Sequence, residues 1–84
     1  MRLDKFLKVS RLIKRRTVAN EACDTQRITV NGKVAKASYD VKIDDKITVA
    51  FGTRSVTVRV LEIKETTKKT ECQGMYEIIS ETQE

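Results

Sequence analysis

The 84-residue chain has no histidine, proline or tryptophan, only two cysteines and three glycines, and four aromatic residues in all. Without histidine the usual general base near neutral pH is missing. Cys23 and Cys72 stand far apart with no second pair and no imidazole to complete a zinc site. Cys23 is expected as a reduced thiol packed in a core. With Phe6 and Phe51 needed for that core, too few rings remain for stacking on splayed bases to be the main mode of contact. No apolar run approaches the roughly 18 residues of a membrane span. The amino terminus alternates cations with apolar residues, unlike a secretory signal, so a cytoplasmic location is expected. No Gly-rich phosphate loop, useful carboxylate pair or nucleophile with a base is found. The expectation is a non-enzymatic protein that needs no cofactor or metal. Nor does any repeat, low-complexity segment or Pro-rich linker divide the chain. It reads as one domain over 1–80 with a polar acidic tail over 81–84, burying roughly 60% of its unfolded surface.

What the chain does have is positive charge in one place. Arg2, Lys5, Lys8, Arg11, Lys14, Arg15 and Arg16 are opposed within the first sixteen residues only by Asp4, so this stretch carries +6, while the remainder sums to −1. A local cation cluster on a small domain suits a polyanion, because each phosphate engaged releases condensed counterions and the field steers association.

The hydropathy pattern divides the chain in two. Leu3, Phe6, Leu7, Ser10 and Ile13 recur at three and four residues and predict a helix from about Arg2 to Leu12. Lys14, Arg15 and Arg16 interrupt the period as a basic turn. Val18, Ala19, Ala22 and Cys23 then resume it as a second, shorter helix. From Arg27 the period becomes alternating. Ile28 and Val30 lead into Asn31-Gly32, a two-residue hairpin turn with Val34 on the return. Tyr39, Val41 and Ile43 alternate up to a turn at Asp44-Asp45. Ile47, Val49 and Phe51 precede a turn at Gly52. Val56, Val58, Val60 and Ile63 give the longest strand candidate, and Met75 to Ile79 the last. Residues 65–74, with Lys68 and Lys69, have no apolar period and read as a loop. Two helices followed by several short strands predict an α+β fold, a helix-turn-helix packed on a small, mostly antiparallel sheet.

Three segments in this order resemble the S-four RNA-binding domain family: Arg2-Leu3-Asp4-Lys5-Phe6-Leu7, Lys14-Arg15-Arg16-Thr17-Val18-Ala19, and Arg27-Ile28-Thr29-Val30-Asn31-Gly32-Lys33. The likeness covers roughly Arg2 to Val49. The chain departs from the family's usual pattern in having Arg15 where Ser precedes the helix-opening Arg, Gln26 where Gly is frequent, and Asp44 where Gly-Asp is frequent. Arg15 replaces a capping side chain by a cation, and Gln26 puts in question the positive-φ exit from the second helix. The small size, the opening from Met1 to Thr17, Ala35-Lys36-Ala37-Ser38, Thr66-Thr67-Lys68-Lys69 and Met75-Tyr76 are similar to the RqcP family of bacterial ribosome quality-control factors. That resemblance implies binding to large-subunit rRNA and to peptidyl-tRNA in the P site, in support of alanine tailing by RqcH. The protein is expected to be monomeric when free.

Arg16 and Arg2 are the leading candidate RNA contacts. Asp4, unexpected on a cationic face, is read as holding Arg2, Arg16 or the turn by charge-assisted hydrogen bonds, or as accepting from a ribose or base edge. Lys5, Lys8, Arg11, Lys14 and Arg15 add attraction, Thr17 and Asn20 reach toward phosphate or sugar, and Arg27 and Lys33 extend the face along the first hairpin. Two other readings stay open: a heat-shock-type ribosome-binding protein that recycles large subunits, and a small DNA-binding helix-turn-helix protein, against which the long β portion counts.

Overall fold

A computed structural model describes residues 1–63 and 72–83. Helix α1, Leu3–Val9, buries Leu3, Phe6 and Leu7 completely. It is shorter than the expected Arg2–Leu12. Arg11 turns into the left-handed region at φ 64°, its amide bonding back to the Lys8 carbonyl at 3.1 Å. Ser10 and Ile13 still reach the core, but from the turn, where the Ile13 amide donates to Leu7 O at 3.0 Å.

Helix α2, Arg16–Asp24, packs through Ala19 and Cys23, with Ala22 partly buried. Val18, expected on the same apolar stripe, is 47% exposed, because nine residues bring only one narrow face against α1 and the sheet. The helix leaves through a Schellman turn: Gln26 N–H donates to Cys23 O at 3.1 Å and Arg27 N–H to Ala22 O at 2.9 Å. Gln26 occupies the left-handed position of that turn at φ 63°. A side chain therefore tolerates the conformation that glycine adopts more easily.

Strands β1 (Ile28–Val30), β2 (Lys33–Val34), β3 (Lys46–Phe51), β4 (Arg54–Val60) and β5 (Tyr76–Gln83) form one antiparallel sheet in the order β2-β1-β3-β4-β5. Asn31 and Gly32, at φ 54° and 84°, make the two-residue turn expected between β1 and β2. Gly52 supplies the positive φ between β3 and β4. Ile28, Val30, Ile47, Val49, Val56, Val58 and Val60 form the buried row, alternating with half-exposed Thr29, Thr48 and Thr57. Together with α1, α2 and fully buried Met75 they make one core. The Phe51 and Cys72 side chains, and residues 64–71 with Lys68 and Lys69, which were expected as a loop, lie outside the described residues.

Three sequence expectations are corrected. Tyr39–Ile43 is no strand: it makes a single bridge, Asp40 with Arg2, and runs past the amino terminus on the way from β2 to β3. Residues 37–41 bond to residues 1–4 through the backbone: Leu3 N–H to Tyr39 O at 2.8 Å, Val41 N–H to Met1 O at 2.8 Å, and Asp4 N–H to Ala37 O at 3.2 Å. Ile63 falls beyond β4, at the surface. Strand β5 runs past Ile79 through Gln83, with Glu81 and Gln83 in register with Val56 and Arg54.

Candidate nucleic-acid interface

Asp4 is the second residue of α1, and the helix period turns it toward α2. Its side chain is only 3% exposed. A carboxylate buried so far must be satisfied by donors, and they come from both helices. The Lys5 amide donates to Oδ1 at 2.8 Å. Arg2 lies side-on, Nε to Oδ1 at 3.2 Å and Nη2 to Oδ2 at 3.4 Å. Arg16 Nε and Asn20 Nδ2 each reach Oδ2 at 3.4 Å. The side-chain contacts are long, as in an ion cradle rather than a set of tight hydrogen bonds. The Arg2 and Arg16 side chains remain 52% and 48% exposed. Each guanidinium therefore keeps donors for an outside acceptor while Asp4 fixes its direction.

Burial acts to raise the Asp4 pKa, but the hydrogen bonds from Asn20, Arg2, Arg16 and the Lys5 amide together outweigh it and hold the carboxyl below its ordinary value. The carboxylate is ionised at neutral pH and both arginines are held. Asp4 thus contacts both arginines that the sequence suggested it would hold. Close by, burial first, then the charges of Asp4 and Asp24, push the Cys23 thiol up to about 11. Cys23 is the buried free thiol anticipated for the core.

Lys14, Arg15 and Thr17 are exposed around the turn into α2. Arg15 is the N-cap residue, extended at φ −123°, and contributes no side-chain capping bond. The amides of the first turn of α2 thus open beside three consecutive cations, an arrangement that favours phosphate oxygens. Lys8 and Arg11 are exposed at the far end of α1, and Lys5 is half-buried.

Arg27 is not brought to this cluster. It lines a small groove with Val18, Glu21, Ala22 and Thr25, on the opposite flank of α2 from Asn20. Lys33, at the tip of the first hairpin, lines a groove of about 670 Å³ with Lys36 and Tyr39. The hairpin tip is held by a second buried carboxylate. Asp45 accepts from Asn31 Nδ2 at 3.1 Å, Tyr39 Oη at 2.9 Å and the Lys42 amide at 2.9 Å. The Asp45 bond, then burial, raises the Tyr39 pKa.

Lys36 and Ser38 were not among the residues expected at the site. Both line a groove with Arg2 and Asn20. They lie in an irregular segment whose short alternation, buried Ala35 and Ala37 with exposed Lys36 and Ser38, says nothing of what the exposed pair faces, and the sequence signal for it is the Ala35-to-Ser38 family likeness.

Elsewhere carboxylates answer the cations. Arg54 pairs with Glu81 at 3.3 Å and Arg59 with Glu77 at 2.9 Å, both across β4 and β5, and Asp40 binds the amino-terminal ammonium at 2.8 Å.

Residues 1–47 match the family model of the S4 domain. The RQC P-site tRNA stabilizing factor of Streptococcus pneumoniae is 60% identical over 82 residues, covering 98% of this chain and 93% of that protein. The protein of the same name from Bacillus subtilis is 63% identical over 81 residues, covering 96% and 94%. Among solved structures, Vibrio cholerae heat shock protein 15, described as trimeric, superposes with a TM-score of 0.88 at 30% identity, covering 95% of this chain and 82% of that one. The solution structure of the hypothetical protein HP1423 gives 0.82 at 29% identity, covering 95% and 98%.

Proposed function

The chain belongs to the S4 domain family and to the RQC P-site tRNA stabilizing factors, and from that premise we propose an RNA-binding role in ribosome quality control. The protein binds a large ribosomal subunit that still carries peptidyl-tRNA, touching rRNA and the P-site tRNA through its helix-turn-helix face. The observation that carries this reading is the Asp4 cradle, which holds Arg2, the residue before α1, and Arg16, the first residue of α2, on one carboxylate. Lys14, Arg15 and the open first turn of α2 adjoin that surface.

The chemistry is binding, not bond-making. Guanidinium forks suit phosphate oxygens bidentately, and each phosphate engaged contributes a slope of about −0.7 to −0.9 in log K against log salt. By holding tRNA in the P site, the protein supports RqcH-dependent addition of alanine to the stalled chain. It works in the cytoplasm, without catalysis of its own, and is monomeric when free.

The likeness to heat shock protein 15 favours a second reading, in which the protein recycles large subunits carrying peptidyl-tRNA without any tailing. Two measurements separate these. Pull-down of tagged protein from cells with stalled translation should enrich large subunits, peptidyl-tRNA and RqcH, and a folded Arg16→Ala variant should lose them. Alanine tails should disappear when the protein is removed. Tails that persist support recycling, and recovery of free DNA in place of subunits overturns both.

A further inference from the structure

Between α2 and the irregular segment after β2 runs a groove of about 450 Å³, with Arg2, Asn20 and Asp24 on one side and Lys36 and Ser38 on the other. We propose that this groove seats one sugar–phosphate unit of RNA backbone, and that Asn20 reads its 2′-hydroxyl. The inference rests on the RNA-binding reading above and deepens it, naming the chemical group by which the site tells RNA from DNA.

The groove's composition selects its occupant. No aromatic side chain lines it, so a base has nothing to stack on. Arg2 and Lys36 put one cation on each side, which suits a phosphate. Buried Ala35, Ala37 and Cys23 form a floor of small side chains against which a ribose ring can lie. The spacing of the sides is set by backbone, since the Asp4 amide donates to Ala37 O at 3.2 Å and the Leu3 amide to Tyr39 O at 2.8 Å.

Asn20 owes its direction to Asp4. An ionised carboxylate only accepts, so the Asn20 group at 3.4 Å from Asp4 Oδ2 is the amide nitrogen, which leaves Oδ1 as an acceptor on a side chain that lines the groove. A 2′-hydroxyl donates and accepts, and a deoxyribose offers neither. The exposed Ser38 hydroxyl supplies a second polar group on the facing side. Asp24 would repel a phosphate placed at its own end, which directs the phosphate toward Arg2 and Lys36 and the sugar toward Asn20.

The test compares an unmodified tRNA transcript with the all-deoxy molecule of the same sequence, by fluorescence anisotropy at fixed salt. Wild type should prefer RNA. Asn20→Ala should cut the RNA-to-DNA ratio by about three- to tenfold, the usual worth of one hydrogen bond, and Ser38→Ala should move it in the same direction. Arg16→Ala should weaken both ligands and leave the ratio unchanged, which separates a loosened cradle from a lost hydroxyl contact. If Asn20→Ala and Ser38→Ala, folded by circular dichroism, keep the wild-type ratio while Arg16→Ala still weakens binding, the groove assignment is wrong and the RNA reading stands. Wild type that binds neither transcript overturns both.

Discussion

Arg16 Nε and Asp4 Oδ2 lie 3.4 Å apart across a sequence separation of 12, so one buried carboxylate joins the first turn of α1 to the first turn of α2. The same oxygen takes Arg2 Nη2 and Asn20 Nδ2. Three donors from three places share one acceptor. One buried carboxylate therefore fixes the relative positions of Arg2, Arg16 and Asn20.

That arrangement makes Asp4→Asn informative. The change raises a formal net charge of +5 by one, so attraction by charge alone predicts tighter RNA binding. Loss of the cradle predicts the opposite, about tenfold weaker binding, with a stability loss of about 1–3 kcal/mol for the unsatisfied donors. Anisotropy with tRNA and thermal melting measure the two effects.

Stability should also depend on pH through Asp4. Its folded pKa lies below the 3.8 of an unperturbed aspartate, because Asn20, Arg2, Arg16 and the Lys5 amide together outweigh burial. A carboxyl depressed in the folded state contributes stability that is complete above the unfolded value and lost as pH falls through the folded one. Asp40, held down by the amino-terminal ammonium, acts in the same direction. Melting temperature should be insensitive to these two groups near neutrality and fall below about pH 4. The fall should be shallower in Asp4→Asn, which has one linked proton fewer.

Gln26→Gly should stabilise the protein. At φ 63° in the Schellman turn, Gln26 sits where a side chain costs about 1 kcal/mol or more. Glycine relieves that strain and gives back part of the gain as unfolded-chain entropy. A net gain of about 0.5–1 kcal/mol corresponds to a melting temperature higher by roughly 2–8 °C for a domain of this size.

Arg15→Ser exchanges a cation for a cap. Serine at the N-cap of α2 supplies the side-chain bond that Arg15 does not make, worth about 1 kcal/mol of stability. The lost cation should weaken tRNA binding and, if it neutralises a phosphate, reduce the log–log salt slope by somewhat under one. A variant that melts higher and binds more weakly is the expected outcome of salt-titrated anisotropy beside calorimetry.

Much of this fold was legible because its signals are short-range. The spacing of Leu3, Phe6 and Leu7 marks α1, Asn31-Gly32 marks the first hairpin, and the Val56-Val58-Val60 alternation marks β4. The misreadings share one cause. Tyr39, Val41 and Ile43 alternate as a strand does, yet alternation records which side chains turn inward and not whether a partner strand is free, and here the neighbour is residues 1–4. Ile13 continues the α1 period and is buried, although the helix ended at Val9. At the site, Asp4, Arg2 and Arg16 were legible as an odd acid among cations. Lys36 and Ser38 were not, because they reach the groove through a crossing that only the folded chain makes.

The backbone bonds between residues 1–4 and 37–41 bear on the thermodynamics of association. A residue next to a chain terminus ordinarily frays, and fixing it at the moment of binding would cost roughly 1–2 kcal/mol in backbone entropy. Here Met1 O and Leu3 N are bonded on either side of Arg2. Slow amide exchange at Leu3 and Val41 in the free protein is the observable. With its backbone fixed in the free protein, any phosphate contact that Arg2 makes carries no further cost for ordering that backbone, which belongs to folding and not to RNA affinity.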